Sequence, residues 1–122
     1  MAHPPIPTAT RSDLLRWLLR RFRRVRVVGA SMTPTLLDGE VVLVDRNVSG
    51  LPDDGAVVVV RHPQQPTIEI VKRIEFTDDT GMYLRSDNAD EPEAADSRRF
   101  GMVPVDHLVG HVISKIDRDE AH

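Results

Sequence analysis

Ser31 stands in the run Val27-Val28-Gly29-Ala30-Ser31-Met32-Thr33-Pro34-Thr35-Leu36, where an apolar stretch gives way to small residues and then to a proline. A hydroxyl placed there sits at a strand end beside bare backbone. Gly29 and Ala30 let a substrate chain approach, and backbone N–H groups at such a turn can face a developing oxyanion. Alone, such a serine is an ordinary turn residue, because a hydroxyl becomes a nucleophile only beside a base. The candidate base is Lys72. Ile68, Ile70, Lys72, Ile74 and Phe76 alternate with Glu69, Val71, Arg73 and Glu75, so the two-residue period of a strand puts the Lys72 ammonium on the apolar face. Desolvation disfavours the charged form and lowers a lysine pKa, which turns an inert cation into a base near neutral pH. The alternative is a lysine at a sheet edge whose amine snorkels to water.

The elements that must bring these two groups together are mostly strands. Short Val and Ile runs predict strands at Arg24 to Val28, Glu40 to Asp45, Ala56 to Arg61, Thr67 to Phe76, Met82 to Arg85 and Leu108 to Ile116. Asp38-Gly39, Asp54-Gly55 and Thr80-Gly81 mark turns between them. Before the strands, Asp13 to Arg24 carries Leu14, Leu15, Leu18, Leu19 and Phe22 at one-face helical spacing, with Ser12 as candidate N-cap and Asp13 in the first turn. Residues 1–11 are rich in proline and read as a flexible lead-in, 12–24 as the basic helix, 25–117 as a single catalytic domain and 118–122 as a tail. The segment Ser86 to Arg99 is acidic, contains Pro92 and reads as a loop.

The totals restrict the chemistry. A chain of 122 residues with 40% hydrophobic and 29% charged residues has room for one globular domain with its own core. With no cysteine it has no disulfides, thiolate metal cage, iron–sulfur cluster or cysteine nucleophile. The aliphatic runs Val41 to Val44 and Ala56 to Val60 are far shorter than the roughly 20 residues that span a bilayer. No export signal is legible at the start, so a cytoplasmic location is the expectation. The net charge of −3 is unevenly spread. Arg11 to Arg26 holds seven arginines against Asp13, a charge of +6, while nine basic and eighteen acidic residues leave −9 elsewhere. A basic arm on an acidic body suggests contact with the body itself, an anionic lipid surface or a partner.

Gly29 to Leu36, followed by Asp38-Gly39-Glu40, resembles the nucleophile box of the type I signal peptidase family, and Val71-Lys72-Arg73-Ile74 resembles its lysine box. Ser86-Asp87-Asn88, Asp96-Ser97-Arg98-Arg99-Phe100-Gly101, Val103-Pro104 and Leu108-Val109-Gly110 are similar to its C-terminal signature, so the resemblance runs over about residues 27 to 116 in the family's order. It implies a mainly β, compact barrel-type catalytic domain of the signal-peptidase and LexA-like kind. It also implies a Ser31–Lys72 dyad, an oxyanion hole that includes the Ser31 N–H, and Asp96 and Arg98 as a supporting ion pair beside Ser97. Gly29 occupies the position where some members carry a second hydroxyl for that hole. Ala94 stands where many members have a serine that holds the lysine amine, and Ser86 stands where glycine is usual, so Ser86 is a candidate to make that hydrogen bond instead.

Among the family's branches, the short form without a membrane span is most similar to the maturation proteases of nickel-type superoxide dismutase, which remove a leader from the dismutase precursor. That precursor is the expected partner, and no cofactor is expected. His107 and His111 have the spacing of a helical metal pair, but the β pattern around Gly110 and the lack of a third ligand argue against a metal. Nucleic-acid binding is not expected of one short basic helix on an acidic body. Residues 13–24 could lie peripherally on a membrane or pack their leucines on the domain. Competing functions are a membrane-peripheral signal peptidase-like enzyme, a self-cleaving LexA-type peptidase and a non-enzymatic adaptor of the same fold. The reversed Gly29-Ala30 order and its closeness to Ser31 argue against self-cleavage, and the cost of an inward-facing lysine argues against an adaptor.

Overall fold

The structure, a computed structural model, describes residues 6, 8–88, 90 and 95–116. Ala94, Pro92 and the expected tail at 118–122 lie outside the described residues, as does most of the expected lead-in.

The first element is helix α1, Arg11–Arg21. Its N-cap is Thr10 rather than Ser12. Thr10 has an acid three residues on, so the Asp13 N–H donates to Thr10 Oγ1 at 3.1 Å and the Thr10 N–H donates to Asp13 Oδ2 at 3.1 Å. Ser12 would need its acid at position 15, which is Leu15. The helix also ends three residues earlier than its periodicity predicts. Phe22–Arg26 is strand β1, which pairs antiparallel with β2, Val41–Asp45, from Phe22↔Asp45 to Arg26↔Val41. Ladder hydrogen bonds along five residues outweigh the weak helical preference of that segment, which includes β-branched Val25.

The other strands are β3, Val57–Arg61, β4, Glu69–Asp78, β5, Gly81–Arg85, and β6, Leu108–Ile116. All six expected strands form, with ends displaced by at most two residues. They make one antiparallel sheet in the order β1-β2-β6-β3-β4-β5. β1 and β5 stand at its two edges and do not pair, so the sheet is mainly β as expected but is not closed into a barrel. A short helix, α2, Ser97–Phe100, interrupts what the sequence suggested was loop; Asp96 caps it by accepting from the Arg98 N–H at 3.0 Å.

Two apolar clusters hold the sheet. Val27, Met32, Leu36, Val42, Val44 and Val59 form one, and Val58, Val60, Ile74, Met82, Leu84 and Val103 the other. The first ties the segment after β1 to the sheet through Met32 and Leu36. Close packing of β6 on β2 depends on Gly110, where a Cβ would stand 2.5 Å from Val44 Cγ1 and 2.6 Å from the Asp45 carbonyl oxygen.

Candidate active site

The turn after β1 is built by side chains that hold its backbone. Gly29 has φ +87°, a left-handed conformation that an L side chain rarely adopts, and its N–H donates to Asp38 Oδ1 at 2.8 Å. That N–H is therefore committed to the turn, so Gly29 contributes its bare Cα and not an oxyanion donor. Met32 is 1% exposed and anchors the turn in the core, which leaves only its backbone for a substrate. The Thr33–Pro34 peptide is cis.

Ser31 thereby presents Oγ to β4. Lys72 Nζ is hydrogen-bonded to Ser31 Oγ at 2.9 Å, across 41 residues of sequence. Lys72 is 3% exposed, so its amine does not snorkel to water. The period-two pattern placed it correctly beside Ile74, although Ile68 and Phe76 at the strand ends are exposed. Burial pushes the Lys72 pKa below its ordinary 10.5; the Asp96 carboxylate works against this and the Arg98 guanidinium with it.

Four of the remaining sequence candidates gather beside this pair. Asp96, 1% exposed, accepts from the Ser86 N–H at 2.9 Å and from Arg98 Nη2 at 2.9 Å and Nε at 3.1 Å. Burial opposes ionisation of Asp96, but the Arg98 guanidinium and the two backbone N–H groups outweigh it and bring its pKa down to about 2. Ser97 Oγ accepts from the Leu84 N–H at 2.7 Å, which ties α2 to β5. Ser86 is buried, and its Oγ has no hydrogen-bond partner among the described residues. One step beyond the pair Arg73↔Arg85, the antiparallel register sets Ser86 opposite Lys72.

The sequence reading assigned no role to a second set of residues that fixes the turn. The Asn88 N–H donates to the Ser31 carbonyl at 2.9 Å and Asn88 Nδ2 to the Ala30 carbonyl at 3.0 Å. Asp87 accepts from Arg73 Nε at 2.8 Å and Nη2 at 2.7 Å, and also from the Thr35 hydroxyl. Arg73 Nη1 reaches the Gly55 carbonyl at 2.7 Å. The Arg73 guanidinium holds the Asp87 carboxyl below the usual carboxylate range. The available signal was the adjacency of Lys72 and Arg73: neighbours on a strand face opposite ways, so one can serve the site while the other braces the loop that carries Ser31.

His107 ends the 3-10 turn Val105–His107 and its Nδ1 lies 3.1 Å from the Arg61 carbonyl oxygen, while His111 lies inside β6, so the two are not ligands on one helix face. Among the described residues no group of three or more histidine and carboxylate side chains could hold a metal ion.

The site is thus a hydroxyl bonded to a buried amine, on a turn braced against an open antiparallel sheet. The chain belongs to the peptidase S24-like family, whose pattern matches residues 20–100, a span that holds Ser31, Lys72, Ser86 and Asp96 to Arg98. It is also similar to signal peptidase I of Streptococcus pneumoniae, 40% identical over 80 residues that cover 59% of this chain and 37% of that protein. With signal peptidase I of Aquifex aeolicus it is 42% identical over 50 residues, 39% of this chain and 20% of that one. The matched part spans little more than a third of the length of these relatives at most.

Proposed function

We propose that the chain is a serine endopeptidase that removes an N-terminal leader from a precursor protein, with Ser31 as nucleophile and Lys72 as general base. The observation that carries this reading is the 2.9 Å contact between Ser31 Oγ and an amine that is only 3% exposed. Neutral Lys72 takes the Ser31 proton as Oγ bonds to the scissile carbonyl carbon and the C=O electrons move onto oxygen. Backbone N–H groups at Ser31 and Met32 are the candidate donors to that oxyanion. Collapse breaks the C–N bond, and the Lys72 ammonium gives its proton to the leaving amine. Water then attacks the Ser31 ester while Lys72 takes a water proton; the ester bond breaks, the acid leaves and Ser31 recovers its proton.

A buried neutral amine has one lone pair and two N–H groups, so a base aimed at Ser31 needs acceptors for its hydrogens. Ser86 Oγ, buried, unpartnered and opposite Lys72 in the register, is suited to accept one of them. Ser86→Gly is expected to lower kcat about tenfold, the worth of one hydrogen bond to a reacting group, and Ser86→Thr to restore it. Unchanged turnover in the glycine variant removes Ser86 from the mechanism.

For the substrate, we propose the precursor of a nickel-type superoxide dismutase, whose leader must be cut to free the N-terminal amine and histidine that bind nickel. One feature supports a processor of a short, exposed leader: the β4–β5 hairpin turns directly through Asp79-Thr80 with no inserted domain between the two strands. Coexpression with a leader-bearing dismutase, followed by mass analysis of its N-terminus, should show the leader removed by the wild type and retained with Ser31→Ala. An intact precursor beside folded wild type rules out this substrate.

A further inference from the structure

Helix α1 has the composition of a helix that packs on a core, yet none of its residues is buried. Leu14 is 53% exposed, Leu15 57%, Leu18 43% and Leu19 67%. At about 100° per residue these four leucines occupy one arc of about 140°, with Asp13, Arg16 and Arg20 on the opposite side. The expectation that the leucines might pack on the domain is therefore not met. The base of the helix is nonetheless fixed. Arg21 Nε and Nη2 donate to Asp45 Oδ1 and Oδ2 at 3.0 and 2.9 Å, and Trp17 lies over the same guanidinium at 5.2 Å. The Arg46 N–H donates to the Arg21 carbonyl at 2.7 Å. A helix rooted in β2, capped at its other end and bare along its leucines is preformed to meet a surface outside the domain.

Charge selects the surface. Residues 11–26 carry +6 and the rest of the chain −9, so an anionic plane attracts the helix and repels the body, which orients the molecule helix first. A second copy of the chain is disfavoured for helix-to-helix contact, because both copies carry the same +6 on residues 11–26. A leucine arc backed by Arg16 and Arg20 on the polar side, with a half-exposed Trp17 at the flank, matches a helix lying in the plane of a headgroup layer.

We propose that α1 is an interfacial helix that lays Leu14, Leu15, Leu18 and Leu19 into an anionic lipid surface, to which the positive charge of its segment draws it. The proposal does not depend on the peptidase reading, since lipid binding is measured without cleavage. The test is cosedimentation of the full chain with vesicles of phosphatidylcholine alone or with about one-third phosphatidylglycerol. We expect partitioning at least about tenfold stronger on the anionic vesicles, weakened about tenfold between 0.1 and 0.5 M salt. Leu15→Glu/Leu19→Glu should abolish it and Arg16→Glu/Arg20→Glu should reduce it to the phosphatidylcholine level. Both variants should keep the wild-type thermal midpoint, because no side chain they alter is buried. Equal binding to both vesicles, no binding to either, or dimerisation in the absence of lipid that the leucine variant abolishes would overturn the proposal. Ser31→Ala should bind vesicles as the wild type does, and its failure to do so would also count against it.

Discussion

Replacing Lys72 by Met will lower kcat/KM for the proposed leader removal by about 10³-fold or more, and it will also raise the unfolding midpoint. Ser31→Ala should cost a similar factor in rate, and the double variant should be little worse than either single one, because two groups that act as a unit are lost together. The rise in stability follows from the same burial that makes the amine a base. Lys72 is 3% exposed, next to Ile74 on its own strand and to strands that carry buried Val58 and Leu84, and a methionine of similar length has no charge to desolvate. The gain is expected to be about 1 kcal/mol or more near neutral pH.

The pH dependence separates this account from simple repacking. Burial holds the folded pKa of Lys72 below 10.5, so between the depressed value and 10.5 the unfolded chain binds more protons than the folded one. Wild-type stability therefore rises with pH through that window, and the advantage of Lys72→Met shrinks towards alkaline pH. At the lower edge of that window, where the free enzyme loses the Lys72 proton, kcat/KM of the wild type should climb and then level off. Thermal melts and rates taken from about pH 6 to about pH 10 check both. A flat wild-type rate profile, or a methionine variant that retains more than about a tenth of the activity, contradicts the role given to Lys72.

The pair was legible in sequence because strand period is strict: Ile70, Lys72 and Ile74 share a face whatever the tertiary structure, and a lysine among isoleucines has few reasons to be there. The approach of Ser31 to Lys72 was not legible from period, since it depends on a turn held by Asp38 close by and by Asn88 from a distant part of the chain. The sheet order was hidden for the same reason. Alternating Val residues show which segments are strands but not that β6, the last, inserts between β2 and β3. The end of α1 was misread because Phe22, Arg23 and Arg24 are tolerated in a helix, and only pairing with Val41–Asp45 makes them strand. The short helix α2 was missed because four residues carry no periodicity; its sole signal was Asp96 two positions before Arg98.

Asp96 carries the second large effect, and it acts on both stability and rate. Its carboxylate gathers the Ser86 N–H, the Arg98 N–H and the Arg98 guanidinium in a place where it is only 1% exposed. With a folded pKa of about 2 against 3.8, ionised Asp96 contributes about 2 kcal/mol that is fully present above about pH 4 and lost as pH falls through about 2. Asp96→Ala also leaves the backbone N–H groups of Ser86 and Arg98 without an acceptor, so we expect a loss of about 3 kcal/mol near pH 7, or roughly 10 °C in Tm, which narrows towards pH 2. The milder Asp96→Asn separates charge from shape. The Asp96 carboxylate raises the Lys72 pKa, so neutralising it leaves the amine easier to deprotonate and moves the rising limb of the kcat/KM profile to lower pH. Asp96→Asn should therefore be less stable than the wild type yet closer to its maximal rate at neutral pH. A limb displaced to higher pH would mean that Asp96 reaches Lys72 through position alone, and a Tm within about 1 °C of the wild type would remove the cap from the account of how the site is held.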